Sequence, residues 1–284
     1  MQTARYIFTD LDNTLLDSQK NVSRRTIELI DSVRGRYGVK FGAATGRDSA
    51  SVLPLMERTG LDQITDAVIV NNGVEVILCG TGERIQLPRI SREKIQEILR
   101  CYQGVPDLKV CFHSGNTLFA TATDERSRQI ARINGRTRIA NPLQEDGYQP
   151  APRVMLIFPP EKYPGIRAFA DAHPIAGLRP CLSEPDVYEF VEETVSKSRG
   201  IQEYVSRFGH GLSDVLVFGD SDNDIDMLQK CGRSVAMKNG TPAVLKAADE
   251  ISEATSDEDG VYRYLKGHLS LFAPDDVSEG KVML

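Results

Sequence analysis

The stretch IFTDLDNTLLDSQ, residues 7–19, places two carboxylates two residues apart at the end of a short apolar run. Such a run is typical of a buried strand, and Asp10 and Asp12 come where that strand gives way to a loop. Short polar side chains are common in such loops, because they bond nearby backbone groups. The role of Asp10 and Asp12 therefore depends on which residues other segments of the chain place beside them.

Alternating helices and strands follow this first strand. The pattern predicts a helix that is capped by Ser23 and ended by Gly38, and then a strand in VKFGAATGR, residues 39–47. A second helix over residues 49–58 leads to a third strand in AVIVNNG, residues 67–73. This order predicts a parallel sheet with right-handed crossovers.

The pattern changes between residues 83 and 189. Paired strands with short turns such as HSGN, residues 113–116, are typical of an antiparallel sheet. The predicted order there is helix, strand, strand, helix, strand, helix, strand, strand. The earlier pattern resumes near DVLVFGDSDND, residues 214–224. The sequence therefore predicts an α/β protein with a doubly wound, Rossmann-like parallel-sheet core, residues 1–82 and 190–284, and an inserted α+β domain, residues 83–189.

The composition fits a globular chain of this kind and excludes several other classes. The 284 residues are 40% hydrophobic and 26% charged, with a formal net charge of −6, which argues against a nucleic-acid partner. We find no run of apolar residues long enough for a membrane span and no secretory signal, so we expect a soluble cytoplasmic protein without a membrane partner. The five cysteines lack metal-ligand spacing and are predicted to be reduced packing residues.

Polar residues follow three of the predicted core strands. In open α/β sheets, ligands bind outside the carboxyl ends of the strands, where Asp10 and Asp12, Thr45, and Asp220 would meet. Crowded carboxylates repel one another, so such a site favours a hard cation, and a site of few carboxylates suits Mg²⁺. Lys197 would add a fixed positive charge. This set suits phosphoryl transfer, in which catalysis is mostly positioning and charge stabilisation.

Four segments resemble the haloacid dehalogenase superfamily of aspartate-nucleophile phosphatases, and more narrowly its Cof-like branch with the type IIB cap. They are DLDNTLL (10–16), AATGR (43–47), VSKSRG (195–200) and GDSDNDIDML (219–228). The resemblance covers nearly the whole chain, and four motifs in this order are specific together where one alone is not. The predicted order of elements in the inserted domain is similar to the cap of that branch.

The resemblance implies roles for the carboxylates. Asp10 would be the nucleophile and a Mg²⁺ ligand. Asp12 would be the general acid and base, with its backbone carbonyl on the metal, and Asp220 would complete the protein ligands. Thr14 would steady the first loop, and Asp224 would orient the site rather than bind the metal.

The resemblance also implies a phosphate-binding set. Thr45 and Lys197 would hold the phosphoryl group, with Gly46 beside them. Asn223 would contact the phosphoryl group or position Lys197. Arg47 would clamp the substrate or form a surface ion pair, and the sequence leaves both open.

Asparagine stands at two turns near the predicted site. The family usually has glycine after the second aspartate, where this chain has Asn13, and asparagine tolerates the positive φ of such a turn. Asn71, Asn72 and Gly73 end the third strand, where they could line the site or form a plain turn.

The inserted domain carries arginines and histidines to which the sequence gives no firm role. The arginines are predicted to form a solvated face, the alternative being a grip on an anionic substrate. They are Arg126, Arg128, Arg132, Arg136 and Arg138. The histidines, including His113, show no ligand spacing and are assigned no chemistry.

The expected function is a Mg²⁺-dependent phosphatase that hydrolyses a small phosphorylated metabolite, expected to be a sugar phosphate, through an aspartyl-phosphate. A phosphomutase of similar core and cap is the first alternative. A receiver-like signalling protein with a phosphorylated aspartate is the second, although receivers are much shorter and lack an insertion. The sequence leaves the substrate, the oligomeric state and the choice between hydrolase and mutase open.

Overall fold

The computed structural model describes residues 3–273, which divide into two units. The first comprises residues 3–46, 53–85 and 196–273, and the second comprises residues 47–52 and 86–195. The second unit thus ends at Val195, beyond the predicted boundary at residue 189, and it also takes in residues 47–52. Within this unit Asp48 accepts a hydrogen bond from Arg136, which joins that short segment to the inserted part of the chain. Arg136 was predicted to lie on a solvated face, but its side chain is only 17% exposed because it is bound to Asp48.

Strands and helices alternate through most of the described chain. In chain order the strands are β1 (Tyr6–Thr9), β2 (Lys40–Ala44), β3 (Ala67–Val70), β4 (Glu75–Leu78), β5 (Arg84–Gln86), β6 (Lys109–Ser114), β7 (Thr117–Ala120), β8 (Arg138–Ala140), β9 (Val154–Ile157), β10 (Leu178–Glu184), β11 (Val187–Glu192), β12 (Val215–Gly219), β13 (Arg233–Ala236) and β14 (Glu250–Ile251). The α-helices are α1 (Arg24–Tyr37), α2 (Ser49–Thr59), α3 (Arg92–Tyr102), α4 (Glu125–Ile133), α5 (Tyr163–Ala172), α6 (Lys197–Ser206), α7 (Ile225–Lys230), α8 (Pro242–Ala247) and α9 (Gly260–Gly267).

The sheet of the first unit has the order β14-β13-β12-β1-β2-β3-β4-β5. From β14 to β3 all neighbours are parallel, and β4 then pairs antiparallel with β3. All four residues of β1 are buried, as expected for a strand that has a neighbour on each side and helices on the faces of its sheet. The carboxyl ends of β12, β1 and β2 lie side by side, so the predicted doubly wound core is confirmed.

Helix α1 forms where its pattern predicts it. The side chain of Ser23 accepts a hydrogen bond from the backbone N–H of Thr26, and Gly38 takes φ +67, which ends the helix. Between these caps Ile30 and Val33 are buried. Caps and an apolar stripe at helical spacing are local signals, so this helix could be predicted from the sequence.

The second unit is built on a sheet with the order β10-β11-β9-β6-β7-β8. Its pairings are antiparallel except the parallel pair β7 and β8. Side chains alternate along each strand, so the sheet has two apolar faces. One of them, with Phe112, Leu156 and Phe190, packs with α3 and α5, and the other, with Cys111, Met155 and Val187, packs with α4. The predicted inserted α+β domain is confirmed as a fold class.

Four short strands, β4, β5, β8 and β14, were absent from the predicted order, and β4 and β8 show why. At the end of β3 the chain reverses through Asn71 (φ +50), Asn72 (φ +56) and Gly73 (φ +107), so that β4 pairs antiparallel with β3. β8 has three residues and pairs with β7. Neither strand could be recognised from alternation, because β4 follows the turn without a linker and β8 is too short to show a period. Among the described residues, no helix has the length and apolar character that crossing a membrane requires.

Candidate active site

Three carboxylates from two strand ends meet in the first unit. Asp10 follows β1, and its backbone N–H donates to the carbonyl of Phe218 in β12 at 2.9 Å. Asp220 follows β12, and Asp224 lies four residues further on. One oxygen of each of the three carboxylates lies within 4.8 Å of the other two, and all three residues are buried. The parallel pairing of β1 and β12 therefore creates this cluster, because it aligns the two strand ends.

The ammonium group of Lys197 lies between two of these carboxylates. Its Nζ donates to Oδ1 of Asp10 and to Oδ1 of Asp224, each at 2.6 Å. Lys197 is the first residue of α6 and is 1% exposed. Ser196 caps the helix by accepting a hydrogen bond from the backbone N–H of Arg199 at 3.2 Å. The cap fixes the start of the helix, and so it fixes where the lysine side chain begins.

Both oxygens of Asp224 are engaged. While Oδ1 faces Lys197, Oδ2 accepts the backbone N–H groups of Asp220 at 2.9 Å and Ser221 at 3.0 Å. A Cβ at Gly219 would lie 2.5 Å from the Cβ of Asp224, closer than real contacts allow. Glycine before Asp220 is therefore what lets this carboxylate fold back onto the strand end.

The carboxylate of Asp220 is oriented by two hydroxyl groups. The hydroxyl of Thr14 donates to Oδ1 at 2.7 Å, and the hydroxyl of Ser221 donates to Oδ2 at 2.9 Å. Thr14 is buried, and it lies on the loop after β1. Its hydroxyl therefore connects the first motif to the fourth.

The predicted site also includes the acidic residue Asp12 and the basic residue Arg47. The carboxylate of Asp12 lies 2.9 Å from Nζ of Lys20, and its side chain is 32% exposed. Asn13 takes φ +58, the positive φ expected at this turn. Arg47 belongs to the second unit.

The loops after β2 and β3 meet near the same strand ends. The buried Thr45 donates its backbone N–H to Ile69 at 2.8 Å, and its carbonyl accepts the N–H of Asn72 at 3.0 Å. The side-chain amide of Asn223 donates to Oδ1 of Asn72 at 3.0 Å. A Cβ at Gly46 would lie 3.3 Å from that same Oδ1 and 3.6 Å from Nδ2 of Asn223. These contacts bring together Thr45, Gly46 and Asn223 from the predicted phosphate-binding set, and they add Asn72.

Two amide oxygens in this region are buried without a partner. Oδ1 of Asn223 and Oδ1 of Asn71 accept no hydrogen bond from the described residues. Buried polar atoms of this kind are rare and often belong to binding sites. The sequence contained one signal for the second loop, which was the pair of asparagines and the glycine at the end of a core strand.

Burial and crowding shift the ionisation of the cluster. Burial, together with Asp224 and Asp220, raises the pKa of Asp10 to about 8, although Lys197 opposes the shift. Burial also raises the pKa of Asp220. For Lys197 burial acts to lower the pKa, but Asp10 and Asp224 outweigh it and raise the pKa above its ordinary value. Three carboxylates thus face one ammonium group, and the site has an excess of negative charge.

The chemistry of the cluster fits a metal ion. Its donors are all oxygens, as hard divalent cations require, and a cation would offset the charge that raises the pKa of Asp10. Asp224 already accepts hydrogen bonds from Lys197 and from two backbone N–H groups, whereas each oxygen of Asp220 accepts one hydroxyl group. Asp10 and Asp220 are therefore the side chains best placed to hold the ion.

Comparison with known proteins identifies the family of this chain. A model of the haloacid dehalogenase-like hydrolase family matches residues 7–265. A putative phosphatase of Haemophilus influenzae is 27% identical over 259 residues, which cover 90% of this chain and 94% of the relative. The 5-amino-6-(5-phospho-D-ribitylamino)uracil phosphatase YitU of Bacillus subtilis is 27% identical over 283 residues, which cover 95% of this chain and 100% of the relative.

Solved structures share the fold over nearly the whole length. SMU.1108c from Streptococcus mutans has a TM-score of 0.81 at 19% identity, covering 94% of this chain and 100% of that chain. The HAD subclass IIB sugar phosphatase BT4131 has a TM-score of 0.79 at 22% identity, with the same shares covered, 94% and 100%. The chain therefore belongs to the haloacid dehalogenase-like hydrolase family, which confirms both the resemblance and the enzyme class predicted from its motifs.

Proposed function

We propose that this chain is a Mg²⁺-dependent phosphatase that hydrolyses a small phosphorylated metabolite through an aspartyl-phosphate on Asp10. The observation that carries the proposal is the contact of Lys197 with both Asp10 and Asp224 at 2.6 Å, next to Asp220. A buried lysine beside a buried carboxylate supplies positive charge where a phosphoryl group would approach the nucleophile.

In the first step a carboxylate oxygen of Asp10 attacks phosphorus. The bond from phosphorus to the ester oxygen breaks, and Asp12 donates a proton to that oxygen as the alcohol leaves. Lys197 offsets negative charge on the phosphoryl oxygens, and Thr45 and Asn223 would bind them. In this structure Asp12 faces Lys20, so its role requires the carboxyl group to exchange that partner for the substrate.

In the second step Asp12 removes a proton from water, and the water oxygen attacks phosphorus. The bond between phosphorus and Asp10 breaks, which releases inorganic phosphate and restores both carboxyl groups. The same residue thus acts first as an acid and then as a base.

A bound Mg²⁺ would neutralise charge on the phosphoryl oxygens and on the attacking carboxylate. Asp10, Asp220 and the backbone carbonyl of Asp12 would hold it. Thr14 and Ser221 would keep the Asp220 carboxylate oriented through the hydrogen bonds described above.

The proposed substrate is a phosphomonoester of a small hydroxyl-bearing metabolite, such as a sugar phosphate. The names of two similar proteins support this class of substrate. The relative from Bacillus subtilis is named for a phosphorylated ribitylamino uracil, and BT4131 is described as a sugar phosphatase.

The proposal is tested by release of phosphate from an activated aryl phosphate in the presence of Mg²⁺. Asp10→Asn removes the nucleophile, so we expect activity to fall by at least about a thousandfold. Chelation of the metal should stop the wild-type reaction, and added Mg²⁺ should restore it. Asp31→Asn, an exposed position on α1, is the matched control and should keep full activity.

Full activity of Asp10→Asn would remove the nucleophile assignment. Isomerised sugar phosphate without net release of phosphate would point to a phosphomutase instead.

A further inference from the structure

The second residue of α6 donates its backbone N–H to a carboxylate from another helix. In the first turn of a helix the backbone N–H groups have no partner within the helix itself. In α6 the N–H of Arg199 donates to the side chain of Ser196, and the N–H of Ser198 donates to Oδ1 of Asp226 at 3.1 Å. Asp226 is the second residue of α7. One donor is thus satisfied by the cap of α6 and the next by α7.

These two partners act on α6 in different ways. Ser196 directly precedes α6, so its cap sets where along the chain the helix begins. Asp226 lies 28 residues beyond Ser198, so its hydrogen bond sets where the start of α6 lies relative to α7. The negative charge of a carboxylate is also favourable near the N-terminus of a helix. The bond to Asp226 therefore ties the start of α6 to a point outside the helix.

The segment that contains Asp226 also binds the far end of the Lys197 side chain. Nζ of Lys197 donates to Oδ1 of Asp224 at 2.6 Å, and only Ile225 separates Asp224 from Asp226. Lys197 directly precedes Ser198, so residues 224–226 hold the lysine both at its ammonium group and at its backbone. All of these residues belong to the first unit.

The two oxygens of the Asp226 carboxylate have separate partners. Oδ1 accepts the N–H of Ser198, while Oδ2 lies 2.5 Å from Nζ of Lys230. Burial acts to raise the pKa of Asp226, but hydrogen bonds from Lys230 and from the hydroxyl groups of Ser196 and Ser198 outweigh it and lower the pKa below its ordinary value. The ion pair and the hydrogen bond to α6 can therefore be removed separately by mutation.

We propose that Asp226 is a positioning residue for Lys197, an inference that rests on the phosphatase activity proposed above. By holding the backbone from which the lysine extends, Asp226 keeps the ammonium group within hydrogen-bond distance of Asp10 and Asp224. The role assigned to Asp226 is exerted through Lys197 and requires no contact with the substrate. A displacement of about 1 Å at a reacting centre can cost about a hundredfold in rate, so the effect should be measurable.

The first experiment measures hydrolysis of 4-nitrophenyl phosphate in the presence of Mg²⁺. Asp226→Ala removes the acceptor of the Ser198 N–H, and we expect kcat to fall roughly tenfold to a hundredfold with a smaller change in KM, because Lys197 stabilises charge that develops during the transfer. Lys230→Ala removes the ion pair but leaves Oδ1 of Asp226 in place. It is the matched control and should stay within about twofold of the wild-type rate.

Two conservative variants separate the position of the carboxylate from its charge. Asp226→Asn loses the charge but keeps an oxygen for the Ser198 N–H, so kcat should stay within about threefold of the wild-type value. Asp226→Glu keeps the charge but moves the carboxylate by one methylene group, so kcat should fall by at least about fivefold. Asp226→Glu also provides the test if Asp226→Ala does not fold.

The second experiment does not depend on catalysis. Lys197→Met and Asp226→Ala are combined in a double-mutant cycle, with the free energy of unfolding measured in urea. We expect Lys197→Met to change that free energy by different amounts in the presence of Asp226 and of alanine, because groups in one hydrogen-bond network are not independent. The same cycle with Lys230→Ala in place of Asp226→Ala should be additive.

Three results would each overturn the positioning role: an unchanged kcat in Asp226→Ala, an equal loss in Asp226→Ala and in Lys230→Ala or Asp226→Asn, and additive free energies in the cycle with Asp226→Ala. A wild-type enzyme that releases no phosphate from any phosphomonoester would instead count against the proposed function. The double-mutant cycle would then still decide whether Asp226 positions Lys197.

Discussion

Lys197 is solvated by two carboxylates rather than by water. With 1% exposure, its charge depends on Asp10 and Asp224, each 2.6 Å away. A buried charge that loses a partner strongly destabilises the fold, so the stability of the protein depends on all three groups staying in contact. Substitution of these residues is therefore the most direct test of the proposed chemistry.

Replacing Asp224 by asparagine forces a choice between its partners. The amide has one oxygen, which can face either Lys197 or the backbone N–H groups of Asp220 and Ser221, but not both. We expect the free energy of unfolding to fall by about 1–3 kcal/mol, the cost of buried groups left unsatisfied. Urea unfolding measures it.

The control for this variant is Asp222→Asn. Asp222 accepts a hydrogen bond from the hydroxyl of Thr241 at 2.7 Å at an exposed position, so the change should cost less than about 0.5 kcal/mol. Equal stability of the two variants would contradict the orienting role given to Asp224.

Thr14 offers a test of metal binding that leaves the ligands in place. Thr14→Val removes the hydroxyl that orients Asp220, and loss of such outer hydrogen bonds weakens metal sites. We expect the Mg²⁺ concentration for half-maximal activity to rise by about tenfold. Thr14→Ser keeps the hydroxyl and should remain near the wild-type value, and an unchanged Mg²⁺ requirement in Thr14→Val would count against Asp220 as a ligand.

At the scale of elements, the start of α6 lies directly against the turn between β3 and β4. A Cβ at Gly73 would be 2.0 Å from the carbonyl oxygen of Ser196, and one at Gly200 would be 2.6 Å from Cγ2 of Ile69. These two close approaches set the position of the helix from which Lys197 extends. The left-handed turn between β3 and β4 therefore helps to position Lys197.

Gly73→Ala tests this arrangement. The residue has φ +107, and its new Cβ would collide with backbone, so we expect the free energy of unfolding to fall by more than about 2 kcal/mol and the activity to fall with it. Gly35→Ala, in α1 with open space around it, is the matched control. It should stabilise the protein by about 0.4–1 kcal/mol, and thermal unfolding compares the two.

The elements also show which features a sequence can predict. Buried strands such as β1 and β12 are continuous apolar runs, and polar residues at their ends converge because parallel strands align their ends. The meeting of Asp10 and Asp220 follows from that rule, whereas the position of Asp224 also depends on Gly219.

Features that depend on exact backbone angles were not predictable in the same way. The contact of Asn72 with Asn223 requires three consecutive residues at positive φ. The pairing of Asp12 with Lys20 depends on a loop in which Lys20 itself takes φ +61. The roles of Asp12 and Arg47 remain predictions.

At the scale of the whole molecule, stability against acid should depend on His113. Burial, helped by Arg153 and Arg136, lowers its pKa to about 3 in the folded protein from about 6.5 in an unfolded chain, so below about pH 6.5 the unfolded state binds a proton that the folded state does not. The contribution of His113 to the free energy of unfolding is therefore fully present above about pH 6.5. It is lost as the pH falls towards about 3, by about 1.4 kcal/mol per pH unit.

The comparison that isolates this effect uses His113→Leu. Between pH 7 and pH 5 the free energy of unfolding of the wild-type protein should fall by about 2 kcal/mol more than that of the variant, because leucine does not titrate. Urea unfolding measures both. Parallel pH profiles of the two proteins would show that the imidazole is not buried in neutral form.

The order of the segments along the chain has a consequence for synthesis on the ribosome. β1 and β2 are made early, but β12, which pairs along the other side of β1, begins only at Val215, after the second unit is complete. Until then the nascent first unit has an apolar strand with one bare edge, the kind of edge that invites pairing with another chain. A polypeptide released before Val215 would therefore contain all residues of the second unit but only five of the eight described strands of the first unit's sheet, with Asp10 still lacking Asp220.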